Sequence, residues 1–217
     1  RLNAAALAGL LIILFFLIIA VFAPVIAPYD PKEMIASYLP PSREHLLGTN
    51  DVGQDIFSEM VYGTRVSLYI GIFAAFIVTG VGTVLALVSG YFGGVTDKII
   101  TAITNIAMAV PSLPLTVLLV AYLNPGKWSL IIAISVTAWT GTARILRSRV
   151  MQLKELPFIK IEKTMGVHPV VILFKHILPN IKDIILTRGA MAISGAMMTE
   201  AGLSFLGLGE FGEKSWG

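Results

Sequence analysis

Glu200 is an acid inside an apolar stretch, 184–208, whose only other charge is Arg188. An ionisable group in hydrocarbon is costly and by default marks function. Two readings stand. Glu200 is the coupling site of an ion-driven carrier, or it is a structural carboxylate hydrogen-bonded to a neighbour. Arg188 lies near one end of its stretch and is expected to extend toward the membrane interface. Met191, Met197 and Met198 share the stretch, and their thioethers suit flexible packing better than metal contact. Asp51 and Asp55, four residues apart, could form an acid–base pair only in a protected cleft. A solvated loop is the favoured setting, with Asp51, Asp55 and Arg65 fixing that loop through charged hydrogen bonds. His45, His168 and His176 are too dispersed to form a metal cluster. The absence of cysteine excludes disulfides, zinc–thiolate sites and iron–sulfur clusters. No nucleophile–base pair is apparent. Gly126-Lys127 precedes Trp128 and lacks the frame of a phosphate-binding loop.

The elements that must position these residues follow from composition. Of 217 residues, 56% are hydrophobic and 13% are charged, against roughly 25% charged in ordinary soluble domains. The net charge of +3 is spread between apolar stretches, which argues against a nucleic-acid-binding face. A membrane-spanning helix needs about 20 apolar residues. Five stretches qualify: 4–27, 67–91, 99–123, 128–146 and 184–208. The first has no charge and exceeds the roughly 7–15 residues of a signal-peptide core, so it reads as a membrane helix. The third contains Pro111 and Pro114, which are expected to kink it near mid-membrane. Pro111 and Ser112 then border a transport pathway or serve packing; both readings stay open, as they do for Met197. The expected fold is all-α, a polytopic membrane helix bundle. A chain beginning at Arg1 is expected to lack its first residues.

Loop charge sets the orientation. From Arg144 to Lys182 there are eight Lys or Arg and two acids, Glu155 and Glu162. From Pro28 to Thr64 there are two basic residues and six acids. An excess of Lys and Arg marks the cytoplasmic side. The loop after the first span is therefore external and the segment between the fourth and fifth spans internal. Alternation through five spans then puts the N-terminus in the cytoplasm.

That internal segment, 153–180, has its own pattern. Phe158, Ile161 and Met165 recur at spacings of three and four, which predicts a short amphipathic helix. Gly166 suits its C-terminus. Pro179 is expected to stop the second helical run before the last span, with His176 capping or packing nearby. Such a helix lies on the membrane, packs at the interface, or docks into a partner's groove.

These residues resemble the permease subunits of binding-protein-dependent ABC importers. The cytoplasmic signature of that family begins Glu-Ala-Ala, with a Gly six residues after the Glu and a Leu-Pro about twelve beyond. Gly166 and Leu178-Pro179 match it, while Lys160-Ile161-Glu162 replaces the opening triplet. Glu162 is about 200° around a helix from Lys160 and does not substitute simply for the missing Glu. The block His45-Leu46-Leu47-Gly48-Thr49-Asn50-Asp51-Val52-Gly53-Gln54-Asp55 resembles an external signature of the dipeptide, oligopeptide and nickel permeases, C-type subunit. Asn50 and Gln54 stand there for the usual Asp and Arg. Tyr62 to Leu68, Gly90-Tyr91-Phe92-Gly93-Gly94, Pro111-Ser112-Leu113, Glu200 to Gly209 and Ser215-Trp216-Gly217 continue the likeness in order. Glu200 falls at a family-typical position, which favours its structural role.

The resemblance implies a division at 66/67: a membrane helix with an external loop of short helices, then a permease core, 67–217. The whole stretch would hold five spans, four of them in that core, and a full chain six. The segment 153–180 would carry the coupling helix, with Phe158, Lys160, Ile161, Glu162, Met165 and Gly166 meeting an ATPase. His45, Gly48, Thr49, Asp51, Gly53, Asp55 and Arg65 would shape the external loop. It further implies a homologous second permease subunit, two cytoplasmic ATPase subunits that hold ATP and Mg²⁺, and an external solute-binding protein. The chain itself would hold no cofactor and would work in the cytoplasmic membrane. Di- or oligopeptide import is the implied function, with nickel chelate import as the alternative and an ion-coupled carrier using Glu200 as a different class.

Overall fold

A computed structural model of the chain describes residues 4–124, 126–209 and 214–216. Among these residues it is helical, with one isolated antiparallel bridge between Thr49 and Asp55. The helices are α1 (Ala4–Ile26), α2 (Ile56–Phe92), α3 (Gly94–Ala109), α4 (Ser112–Tyr122), α5 (Lys127–Lys154), α6 (Pro157–Thr164), α7 (Pro169–Ile172) and α8 (Leu178–Phe205). A π-turn, Leu173–Ile177, joins α7 to α8.

Three helices, α1, α2 and α5, are long and apolar enough to cross a membrane; α3 with α4 makes a fourth if the bent pair is one span. Helix α1 buries only Ala20 and Ala23. Its exposed side chains, including Phe15 and Val21, present an apolar surface suited to lipid. Helix α2 begins at Ile56, eleven residues before the apolar stretch does. At 1.5 Å per residue its 37 residues run about 55 Å, well beyond a bilayer core of about 30 Å. Helix α8 is a continuous 28 residues but has no membrane-length stretch as apolar as those of α1, α2 and α5.

Three sequence expectations are corrected, the third, on Arg188, below. The stretch 99–123 is not one kinked helix. It is two helices bent by 86°, because Val110 is extended and Pro111 takes the N-cap position of a new helix. Pro179 does not stop a helix. It sits at the start of α8 within a helical run that continues from α7, and the π-turn just before it lets the run pass through the proline. There the Leu178 N–H reaches back five residues to the Leu173 carbonyl.

By internal contact the chain divides into two units, one of Arg1–Ile70, Pro125–Lys127 and Glu200–Gly217, the other of Gly71–Asn124 and Trp128–Thr199. In the second, α2 and α5 meet at glycines. A Cβ on Gly82 would lie 2.8 Å from Thr142, and one on Gly90 2.8 Å from Val150. Small residues thus allow the close approach usual between membrane helices. Arg147 of α5 forms a bidentate pair with Asp97 in the first turn of α3, its Nη2 at 2.6 Å from Oδ2. Arg188 does not extend to the end of α8. It lies where a Cβ on Gly141 of α5 would be 3.4 Å from its Nη2, and its Nε is buried without a hydrogen-bond partner among the described residues.

Candidate functional site

The predicted amphipathic helix is α6, and its boundaries are set by local chemistry. Leu156 is extended at the N-cap and Pro157 takes the first helical position, where its missing N–H costs nothing. At the other end Gly166 has φ 76°. Its N–H donates to the Lys163 carbonyl at 3.1 Å, and the Val167 N–H to the Glu162 carbonyl at 3.0 Å. That is a Schellman closure, which glycine adopts without a Cβ penalty.

One residue anchors this helix: Ile159, 1% exposed. It enters a core with Ala86, Tyr91, Leu146, Val150, Leu153, Ile172, Ile177 and Ile181. The ends of α2 and α5, the π-turn and the start of α8 therefore close around it. Two polar contacts reinforce the anchor. His176 Nε2 lies 2.8 Å from Glu162 Oε1. The Lys163 ammonium stands 4.5 Å from the centroid of the Tyr91 ring. The apolar residues that revealed the helix face away from this core. Phe158, Ile161 and Met165 are 43%, 58% and 76% exposed. Lys160 pairs with Glu155 at 2.9 Å, and that hydrogen bond holds the Glu155 carboxyl below its usual range. Glu162 turns inward to His176, so the triplet Lys160-Ile161-Glu162 presents a lysine and an isoleucine outward, and no free carboxylate.

The loop before α2 is a second organised region. Asp55 caps α2, with the Ser58 N–H and hydroxyl both donating to its Oδ2 at 2.8 Å. His45 Nδ1 lies 3.0 Å from the other oxygen. Asp55 is 1% exposed. Burial works to raise its carboxyl, but the hydrogen bonds from Ser58 and His45 outweigh it and hold it below the usual carboxylate range. Thr49 accepts from the Leu39 N–H and donates to the Ala36 carbonyl. Gly48 and Gly53 have φ of 78° and 86°. Asp51 and Arg65 are exposed. Asn50 does the work expected of Asp51: its Oδ1 accepts from the Val52 and Gln54 N–H groups, and its Nδ2 donates to Gln54 and Glu59.

Glu200 is 1% exposed and fully engaged. The Ser204 hydroxyl donates to its Oε1 at 2.8 Å and the Ser67 hydroxyl approaches its Oε2 at 3.4 Å. Ser67 also accepts from the Trp216 N–H at 3.1 Å, while the Trp216 indole donates to the Met60 carbonyl at 3.2 Å. Glu200 thus ties α8, α2 and the 214–216 segment together. Among the other pathway candidates, Met197 packs on Gly71, where a Cβ would lie 2.7 Å from its Cγ. Pro111 and Ser112 form the corner between α3 and α4. Sequence reasoning missed the pairing of His45 with Asp55, the role of Asn50, and the pairing of His176 with Glu162. These pairs form across loops and elements that no periodicity links.

Long apolar helices with exposed apolar flanks define the class: a polytopic α-helical membrane protein. The family model described as the binding-protein-dependent transport system inner membrane component matches residues 82–215. A model for the N-terminal transmembrane domain of oligopeptide transport permease C matches residues 1–41. The chain belongs to this family of transport-system permeases. It is 40% identical to the oligopeptide transport system permease protein OppC of Bacillus subtilis, over 96% of this chain and 69% of that protein. It is 38% identical to the dipeptide transport system permease protein DppC of Haemophilus influenzae, over 95% and 73%. It is 36% identical to the glutathione transport system permease protein GsiD of Pectobacterium atrosepticum, over 96% and 70%.

Proposed function

We propose that this chain is one of two homologous membrane subunits of an ATP-driven importer of short peptides. The cargo is inferred from the relatives, which are named for oligopeptide, dipeptide and glutathione transport. The carrying observation is α6. A short helix capped at both ends, anchored through Ile159, and exposing Phe158, Ile161 and Met165 is a rigid apolar key. Such a surface fits a groove on a partner, here a cytoplasmic ATPase subunit that holds ATP and Mg²⁺. Force applied to α6 passes into the core around Tyr91, Leu146 and Ile177 and so to α2, α5 and α8. ATP binding then biases the membrane helices between two packings by stabilising one more than the other.

The topology follows from charge: N-terminus inside, residues 28–64 outside, and 147–182 inside. In this arrangement the α3–α4 pair and α8 complete five crossings, with Glu200 buried and hydrogen-bonded within α8. Residues 1–66 carry the first helix and the external loop, and 67–217 the core with its coupling segment 153–180. An external binding protein delivers the solute.

The test is cysteine cross-linking at Met165 in the assembled transporter. A bond to the ATPase subunit that forms from the cytoplasmic side supports the assignment. Labelling of Met165→Cys from outside intact cells, or no ATPase adduct, overturns it.

A further inference from the structure

The loop after α1 and the first turns of α2 enclose a cavity of about 690 Å³, wholly within the first unit. Its size is that of a small-molecule site, which spans roughly 300–1,000 Å³. Arg65 and Tyr69 lie four residues apart, on one face of α2, and both line it. Lys127, at the start of α5, stands with its ammonium 6.0 Å from the centroid of the Tyr69 ring. Lys32 and Asp30 complete the wall from the loop, and the Lys32 N–H donates to Asp30 Oδ1 at 2.8 Å, which orients that carboxylate. Lys214 also lines the cavity, but Glu59 holds its ammonium at 3.0 Å.

The wall therefore sets Lys32 and Arg65 beside a single lining acid, Asp30, with tyrosine rings between. An excess of cations in a concave site focuses potential toward an anion, and a guanidinium takes a carboxylate in two parallel hydrogen bonds. The acid serves the opposite end of the same ligand. We propose that this cavity binds a free short peptide, with Arg65 and Lys32 taking its terminal carboxylate and Asp30 its α-ammonium. The inference rests on the peptide-import reading and adds to it a site on the permease itself. Its size admits two or three residues, so it selects for short solutes with both termini free.

The experiment uses the assembled transporter in nanodiscs, without its binding protein. Binding of dialanine, dialanine amide and N-acetyl-dialanine is measured by saturation-transfer NMR. Dialanine is expected to bind, and either blocked form at least tenfold more weakly. Lys32→Gln with Arg65→Gln lowers dialanine binding to the level of the amide, and Asp30→Asn lowers it to that of the acetyl form. All three residues are exposed, so the variants keep the fold; co-purification of the ATPase subunits verifies this. Lys32→Gln alone, in a surface loop, shows a weaker shift in the same direction. Equal binding of the three ligands, absence of dialanine binding, or unchanged binding in the variants overturns the proposal. ATP-driven dialanine uptake by proteoliposomes with the binding protein is scored separately. Uptake without cavity binding sinks this site and leaves the peptide importer standing, whereas failure to take up any peptide sinks the importer reading.

Discussion

His176 Nε2 lies 2.8 Å from Glu162 Oε1, tying the π-turn before α8 to α6. The π-turn explains how this contact forms. One extra residue in the helical ring rotates what precedes it, and Phe158 meets the imidazole at a ring separation of 6.0 Å. Both members of the pair are about three-quarters buried.

The first prediction follows from that tie. His176→Ala removes a largely buried hydrogen bond and leaves Glu162 partnerless, a cost of about 1–2 kcal/mol to the seating of α6. The transporter still assembles, but motion of the ATPase reaches α8 less faithfully. ATP hydrolysis is expected to persist while uptake per ATP falls several-fold, measured in proteoliposomes. His176→Gln, which keeps a donor, recovers part of the loss. Equal loss of hydrolysis and uptake would show that the pair acts on assembly instead.

A second prediction concerns pH. Asp55 is held below its unfolded value of about 4. A carboxylate whose folded pKa is depressed adds stability that is present above the unfolded pKa and disappears as pH falls through the folded one. Thermal stability in detergent is therefore expected to be insensitive to Asp55 between about pH 5 and 7 and to decline below about pH 4. Asp55→Ala removes the cap and strands His45, costing roughly 2–4 kcal/mol at neutral pH. An acid limb that is equally steep in Asp55→Ala would assign that limb to other groups.

What the sequence made legible was local. The C-terminal end of α6 was readable because Gly166 carries its own backbone preference; the start at Pro157 was not read. The spacing of Phe158, Ile161 and Met165 predicted a helix, but not which face is buried. Ile159 is the buried residue because α2, α5 and the π-turn converge on it, and that convergence has no signature in 158–165. Pro111 and Pro114 signalled a disturbance in 99–123, though a kink and an 86° corner begin with the same residues. Pro179 read as a stop because its missing N–H is visible in sequence, whereas the π-turn that accommodates it is not. Glu200 and Ser204 are one helical turn apart in sequence, whereas the other hydroxyl that approaches Glu200, on Ser67, is 133 residues away.

The third prediction separates two glycines with nearly equal backbone angles. Gly48 has φ 78° and Gly166 has φ 76°. A Cβ on Gly48 would sit 2.3 Å from the Leu39 carbonyl oxygen, while one on Gly166 would meet nothing within 4 Å. Gly166→Ala then costs only the left-handed strain of about 1–2 kcal/mol. Gly48→Ala adds a clash with main chain that cannot rotate away. The melting temperature in detergent is expected to fall markedly more for Gly48→Ala. Similar drops in the two variants would mean that the loop 39–48 yields freely.

The last prediction uses Glu200 to divide an ATP-driven importer from an ion-coupled carrier. In the carrier, a carboxylate binds and releases a cation or proton in each cycle, so Glu200→Gln abolishes uptake. In the structure, its oxygens accept from Ser204 and Ser67, and Ser67 is in turn the acceptor for the Trp216 N–H. A glutamine keeps an oxygen acceptor of the same reach, so ATP-driven uptake is expected to survive Glu200→Gln within about threefold, a change of roughly 0.6 kcal/mol. Glu200→Ala leaves the buried Ser67 hydroxyl without its acceptor, at about 1–3 kcal/mol, and loosens the Ser215–Trp216 segment from α2. Limited proteolysis near 210–216 reports that loosening directly. Loss of uptake in the glutamine variant, with proteolysis unchanged from the parent, would move Glu200 from the frame of the bundle into its chemistry.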